Sequence, residues 1–359
     1  MAEALYVHIP FCRSICAYCD FCKVLYSEPL AERYLSALFA ELDSYRINKV
    51  KTIYVGGGTP SALSSSLLSA LLSKLSPLLE ENGEFTVEAN PESLDGNKIA
   101  ILKENKVNRV SVGAESSLPK YLDIMGRKHR FEDVKEAVAK LKEAGISNIN
   151  VDWIYCLPGE SLDEIRHEEE AFASLDVPHI SAYTLILEDG TLFKAKGIKE
   201  ASEDEQGEQY EEVLRFLRSN GYRRYEVSNF AKPGFESRHN LTYWRDDEYY
   251  GVGVGASGFL NGVRYSNTRS LTRYLKGEGL ALNKEESGKS EFLLSTLRLE
   301  EGFSLSDFES RFGIDFLDEY KEKAEKLVSS GFLTINEGRV KPSDKGMELL
   351  DFVLLSLLA

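Results

Sequence analysis

The chain has 359 residues, 43% of them hydrophobic, with 18 Phe, 18 Tyr and 27 Gly, enough for a large core and incompatible with a collagen, a coiled coil or a disordered segment. Lys and Arg number 43 against 58 Asp and Glu, a formal net charge of −15, which argues against a dedicated nucleic-acid binder and against adsorption to anionic lipid. The best apolar run, 352–358, is broken by Ser356 and is far short of the roughly 18 residues of a membrane span, and Met1-Ala2-Glu3 lacks the basic-then-apolar pattern of a secretory signal. A cytoplasmic protein with at most peripheral membrane contact is expected.

In chain order, β-rich apolar segments occur at 5–9, 52–55, 85–88, 109–112, 149–154 and 179–187. Helical patterns separate them at 30–47, 65–81, 98–105, 131–144 and 162–174. Strands alternating with helices of this length predict a parallel sheet with right-handed crossovers. Six such units predict an α/β fold, a partial six-stranded version of the eight-stranded α/β barrel. A further helix at 204–220 is followed by a stretch without regular pattern, read as an irregular link. From 291 the order is two short helices, a longer helix at 318–331, strands at 332–336 and 338–342, and a final helix at 345–358, which resembles a winged-helix unit. Its Glu and Asp content favours packing between domains over DNA binding. The expected division is therefore a core at 1–220, a link at 221–290 and a small α+β unit at 291–359.

Four of the five cysteines, Cys12, Cys16, Cys19 and Cys22, lie within eleven residues. Cys156 stands alone and reads as a small buried hydrophobe; Cys22 allows the same reading. A structural zinc site normally needs a second ligand pair far along the chain, and none is evident, because His129, His167 and His179 are scattered. Iron–sulfur clusters take closely spaced thiolates. The C-x3-C-x2-C run of Cys12, Cys16 and Cys19 supplies three for a four-iron cubane, leaving one iron with an open position.

That spacing, with Tyr18 before the third cysteine, resembles the signature of the radical S-adenosylmethionine superfamily. The resemblance implies a 4Fe–4S cluster whose open iron chelates the amino and carboxylate groups of S-adenosylmethionine, and whose reduction permits cleavage to a 5′-deoxyadenosyl radical. Ligand groups gather at the carboxyl ends of parallel strands. The cysteine loop, Gly56-Gly57-Gly58, Glu88, Glu115 and Asp152 all fall near such ends. Gly56-Gly57-Gly58-Thr59-Pro60 lets backbone approach a ligand closely and offers N–H donors, and it matches the superfamily's glycine motif. Glu88, Glu115, Arg127 and Asp152 suit a ligand bearing a sulfonium, a ribose and a carboxylate. Gly253-Val254-Gly255-Ala256-Ser257-Gly258 has the spacing of a dinucleotide fingerprint but leads into no helix, so it reads as a packing turn. His8 reads as a satisfied core histidine.

The resemblance extends over nearly the whole chain and narrows to proteins similar to oxygen-independent coproporphyrinogen III oxidases. Tyr6-Val7-His8-Ile9-Pro10-Phe11-Cys12, Cys19-Asp20-Phe21, Glu88-Ala89-Asn90-Pro91, Asn150-Val151-Asp152, Leu157-Pro158-Gly159 and His239-Asn240-Leu241-Thr242-Tyr243-Trp244 carry it. Within that branch, Asp20-Phe21 after the third cysteine and the His-Asn-x-x-Tyr-Trp motif resemble the haem-chaperone (HemW) family. The decarboxylating oxidases typically have a longer amino-terminal extension and a fourth cysteine one residue after the third. The resemblance implies that Cys12, Cys16 and Cys19 hold the cluster, and that Tyr6, Tyr18, Gly57, Gly58, Thr59, Glu88, Glu115, Arg127 and Asp152 bind S-adenosylmethionine. It implies that His239, Asn240, Tyr243 and Trp244 bind haem, an imidazole beside aromatic area, and that the partners are haem and haem-accepting proteins. Glu115 stands where the family has glutamine, Cys156 where it has glycine, and Ser257 where histidine is common. The alternative is an oxidase-type radical enzyme acting by oxidative decarboxylation in haem biosynthesis.

Overall fold

A computed structural model describes residues 2–358. All six expected strands form and lie side by side in chain order. They are β1 (Ala4–Ile9), β2 (Val50–Gly57), β3 (Leu79–Ala89), β4 (Arg109–Glu115), β5 (Asn148–Tyr155) and β6 (His179–Thr184). Every neighbouring pair among them is parallel. The crossovers carry α1 (Glu28–Ser44), α2 (Ser65–Leu75), α3 (Gly96–Glu104), α4 (Phe131–Glu143) and α5 (Leu162–Ala173). Each lays an apolar stripe on the sheet, as with Tyr34, Leu35, Leu38 and Leu42 of α1 or Ile165 and Phe172 of α5. The N-terminus of α5 is held by a capping box between Ser161 and Glu164.

Helix α2 stops at Leu75, short of the expected 81. Pro77 cannot continue the ladder of N–H donors, a 3-10 turn spans Ser76–Leu78, and Leu79 already begins β3.

The larger departure concerns 221–290. Helix α6 (Glu203–Ser219) leads into two short strands, β7 (Arg223–Arg224) and β8 (Asn229–Ala231), which extend the sheet antiparallel beyond β6. Helix α7 (Arg238–Trp244) follows. Strand β9 (Tyr249–Val252) then pairs parallel with β1, and β10 (Ser257–Leu260), β11 (Val263–Ser266) and β12 (Leu282–Glu286) continue antiparallel from it. Residues read as an irregular link thus supply six strands of a twelve-stranded sheet, on both of its flanks. These strands run only two to five residues, too short for alternation to register.

The last part of the chain has its own core, in which Phe292, Phe303, Phe308 and Phe316 pack together. It contains α8 (Lys289–Thr296), β13 (Phe303–Ser304), α9 (Leu305–Phe312), α10 (Phe316–Ser329), the β14 (Leu333–Asn336) and β15 (Arg339–Pro342) hairpin, and α11 (Leu350–Leu358). The expected helix at 345–358 is broken at Leu349, whose backbone (φ −117, ψ 43) separates a short turn at Asp344–Glu348 from α11. This unit is fastened to the larger one by polar contacts. Arg311 donates to the carbonyls of Arg245 and Asp246, and Arg218 and Arg224 share Asp344.

Candidate functional site

The chain leaves β1 at Pro10 and closes a loop on itself. Phe11–Cys12 pairs with Val24–Leu25, and the Val24 and Tyr26 N–H groups donate to the carbonyls of Pro10 and Cys12 at 2.7 and 2.9 Å. Inside the loop, Cys12, Cys16 and Cys19 reach the lip of a cavity of about 390 Å³ at the carboxyl ends of β1–β6. Donors face these sulfurs. The Thr59 hydroxyl lies 3.7 Å from Cys12 Sγ, and the Arg127 guanidinium 3.6 Å from Cys16 Sγ. Burial pushes the Cys12 thiol up to about 11 and raises Cys19 as well. Among the described residues, no three His, Cys, Asp or Glu side chains converge on one point as a single ion requires. Three thiols spread around one volume fit a cubane, whose irons sit at separate corners. Cys22 is outside the cavity lining, its thiol donating to the Arg269 carbonyl at 3.4 Å.

The floor is built by alternation along the strands, where every second residue points inward. Strand β4 contributes Ser111, Gly113 and Glu115; β5 contributes Asn150, Asp152 and Ile154; β6 contributes Ser181 and Tyr183. Glu88 of β3 accepts from the Tyr54 hydroxyl (2.8 Å) and from the Gly57 N–H (2.9 Å). A Cβ on Gly56 would lie 2.7 Å from the Glu88 carboxylate, and one on Gly57 (φ +108) 2.3 Å from the His8 ring. The glycines are therefore demanded by close packing. The expected backbone donors are taken: Gly57 N–H by Glu88, Gly58 N–H by the Ile9 carbonyl and Thr59 N–H by the Phe11 carbonyl.

Glu115 adopts the left-handed region (φ +64), which is costly for a residue with a Cβ. Behind it, the buried Glu168 carboxylate on α5 accepts from Ser116 Oγ, from the Ser117 N–H and from Trp153 Nε1 (2.8 Å), fixing the turn. Arg127 is buried, 3.5 Å from Glu115, and donates to Asn90 Oδ1 and the Gly113 carbonyl. Burial, then the charges of Glu115 and Glu88, push Asp152 up to about 7. Burial also raises Glu88. Three carboxylates beside two guanidiniums, Arg127 and Arg109, make a floor suited to a ligand with cationic groups and one carboxylate.

Two expectations change here. Tyr6 does not line the cavity; its hydroxyl bonds His8 Nδ1 at 2.9 Å, and His8 Nε2 donates to the Cys22 carbonyl at 2.7 Å. His8 is thus a satisfied core histidine. His239 is not presented to a ligand. Its ring is fully enclosed, stacked on Tyr54, with Nδ1 against Thr52 Oγ1 (2.8 Å) and Nε2 against the Tyr243 hydroxyl (2.7 Å). Burial lowers it to about 3, so it stays neutral. Of the 239–244 motif, only Asn240 lines the cavity. Trp244 turns toward the carboxy-terminal unit, where the Arg298 guanidinium lies 5.1 Å from its ring centroid. Residues the sequence reading passed over include Tyr54, Arg109, Ser111 and Ser181, polar side chains at alternate inward positions of otherwise apolar strands, while Asn150 enters that reading only as part of a motif and with no role.

A cavity with three cysteines at its lip, at the carboxyl end of a six-stranded parallel sheet, defines a radical S-adenosylmethionine protein. The Radical SAM superfamily model matches residues 6–171, and the HemN C-terminal domain model matches 289–349. Whole-chain relatives narrow the class. The chain is 42% identical to the haem chaperone HemW of Lactococcus lactis over 97% of this chain and 95% of that protein. It is 35% identical to HemW of Bacillus subtilis over 96% of each, and 32% identical to HemW of Escherichia coli over 92% and 91%. The chain belongs to the HemW family. Its fold matches the coproporphyrinogen III oxidase HemN of Escherichia coli with a TM-score of 0.85, at 22% identity, over 99% of this chain and 90% of that one. No helix among the described residues is long and apolar enough to cross a membrane.

Proposed function

We propose that the protein binds haem and delivers it to acceptor haemoproteins, with a 4Fe–4S cluster held by Cys12, Cys16 and Cys19 and S-adenosylmethionine in the cavity behind them. The observation that carries the cofactor part is the set of three thiols, with their facing donors, at the lip of a carboxylate-floored cavity. The haem part rests on membership of the HemW family. A reduced cluster with S-adenosylmethionine supplies one-electron chemistry at a sulfonium when both are bound. Arg127 suits the ligand's carboxylate. Glu88 and Glu115 suit its cationic groups, and Asp152, with Asn150 and Ser111 donating to it, suits ribose hydroxyls. Tyr18, Gly57, Gly58 and Thr59 shape the wall beside the cysteines. Ile15, Phe21 and Ile186, exposed at the mouth, form an apolar collar that limits water entry once the cavity is filled.

The test is anaerobic. The reconstituted protein is incubated with reductant, S-adenosylmethionine and coproporphyrinogen III, while 5′-deoxyadenosine and protoporphyrinogen are followed; in parallel, haem is titrated and its transfer to an apo-haemoprotein measured. Haem transfer without decarboxylated product is expected. Protoporphyrinogen would overturn the chaperone reading in favour of an oxidase.

A further inference from the structure

A second cavity, of about 850 Å³, lies at the seam between the sheet unit and the carboxy-terminal unit. Its walls come from three stretches: the turn after α6 with β7, the 233–245 region containing α7, and residues of the carboxy-terminal unit. The volume falls within the ~300–1,000 Å³ usual for organic ligands. In a chain of net charge −15 this lining is basic. Arg218, Arg223, Arg224, Arg245 and Lys341 face Glu236, Glu300 and Glu301.

Most of those cations are engaged. Arg218 and Arg224 lie 2.7 and 2.9 Å from Asp344, and Arg245 lies 3.0 Å from Glu301. Arg223 and Lys341 are exposed, and among the described residues neither has a carboxylate partner within ion-pair distance. The same lining includes Tyr222, Tyr225, Leu241 and Leu299. These two cations and an apolar, aromatic lining in one cavity suit a flat, hydrophobic molecule with two carboxylates.

The first cavity is a poor place for such a ligand. It has less than half the volume, and its three carboxylates, Glu88, Glu115 and Asp152, outnumber the guanidiniums of Arg109 and Arg127 beside them. A protein that holds S-adenosylmethionine there needs a different place for haem. Helix α7 stands between the two, with Asn240 lining the first cavity and Leu241 and Arg245 lining the second. The two are also joined by buried hydrogen bonds. Asn150 Nδ2 donates to Asp152 (2.9 Å), Asn150 Oδ1 accepts from His179 Nδ1 (2.6 Å), and His179 Nε2 accepts from the Tyr225 hydroxyl (2.9 Å).

Building on the reading that the chain binds haem, we propose that this seam is where it binds, the macrocycle lying against Tyr225, Leu241 and Leu299 and the two propionates meeting Arg223 and Lys341. His239 then positions the helix that forms one wall.

The test titrates haem and haem dimethyl ester into the full-length, cluster-reconstituted protein, following the Soret band. Wild type is compared with the Arg223→Glu/Lys341→Glu pair and the milder Arg223→Gln/Lys341→Gln pair. Both side chains are exposed, and the glutamine pair keeps the comparison valid if charge reversal disturbs the seam. Affinity for haem is expected to fall on the order of tenfold per reversed charge, while the ester binds all three proteins alike. If both pairs bind haem as wild type does, the seam is not the site, although the haem reading stands. If wild type itself gives no saturable Soret change, the haem reading fails and the seam proposal with it.

Discussion

The two cavities are built from the same stretch of polypeptide physics and end with opposite characters. The first sits inside the parallel sheet, where inward positions near the strand ends contribute polar residues and burial raises the carboxyls of Glu88 and Asp152. The second lies between units, where long basic side chains can be accommodated because solvent screens them on one side. A buried acidic floor favours a cationic ligand by charge attraction in a low-dielectric site; a more open basic seam favours an anionic one. Separate sites on either side of a single helix follow from that difference.

The sharpest way to break the comparison is to remove one side of it. Cys12→Ala, Cys16→Ala or Cys19→Ala is expected to abolish the broad visible absorption of the iron–sulfur centre after reconstitution, while Cys22→Ala retains it. Haem titration of Cys12→Ala should match wild type, since the seam holds none of the cysteines. Cluster loss in Cys22→Ala with retention in Cys19→Ala would sink the ligand assignment.

Next in size is His239→Ala, which leaves Thr52 and the Tyr243 hydroxyl without their buried partner. A loss of about 2–4 kcal/mol in urea unfolding is expected. The Soret position at saturating haem should not move, because an imidazole enclosed on both nitrogens is not an iron ligand. A shift to a five-coordinate spectrum in this variant alone would restore His239 as the ligand.

A pH series sharpens the first cavity. Asp152, held at about 7 by burial and by Glu115 and Glu88, loses its proton across the neutral range. Affinity for the cationic S-adenosylmethionine should therefore rise from pH 6 to 8, up to about tenfold, and the rise should vanish in Asp152→Asn. In the ligand-free protein the sign for stability is opposite. The folded chain keeps a proton that the unfolded chain releases near its ordinary pKa of 3.8, so this residue's contribution falls as pH climbs from there through about 7. Calorimetric titration and thermal melts at matched pH separate the two. The smallest effect belongs to Cys156→Ala, about 1 kcal/mol with iron content unchanged, since Cys156 is buried in the main core and absent from the cavity lining.

The six central strands and the cysteine loop were legible because their signals are local: apolar runs of strand length, and three thiols at fixed spacing. Glu88, Glu115 and Asp152 were legible as charged residues near the ends of apolar strands. Ser111 and Ser181 were not, because a neutral polar residue at an inward position looks like any solvent-facing one until the sheet curves around it. Tyr6 and His239 lie away from the cavity wall for a shared reason. A motif reports that residues matter, but not whether they touch a ligand or hold what does, and both turned out to be bonded to protein on their polar atoms. The flanking strands were hidden by length, and the seam could not be read at all, since Lys341 joins Arg223 and Leu241 only through docking of the carboxy-terminal unit.

Helix α7 is only seven residues long, yet it is pinned at both ends. Glu84 accepts from the Arg238 and His239 N–H groups, Ser237 caps it, and Arg245 beyond it reaches Glu301. Fastened in this way, it shifts as one body. If filling one cavity displaces it, the free-energy change is written into the affinity of the other, and thermodynamic reciprocity makes the factor the same in both directions. A measured change in haem affinity with S-adenosylmethionine present thus fixes in advance how much haem alters the binding of S-adenosylmethionine.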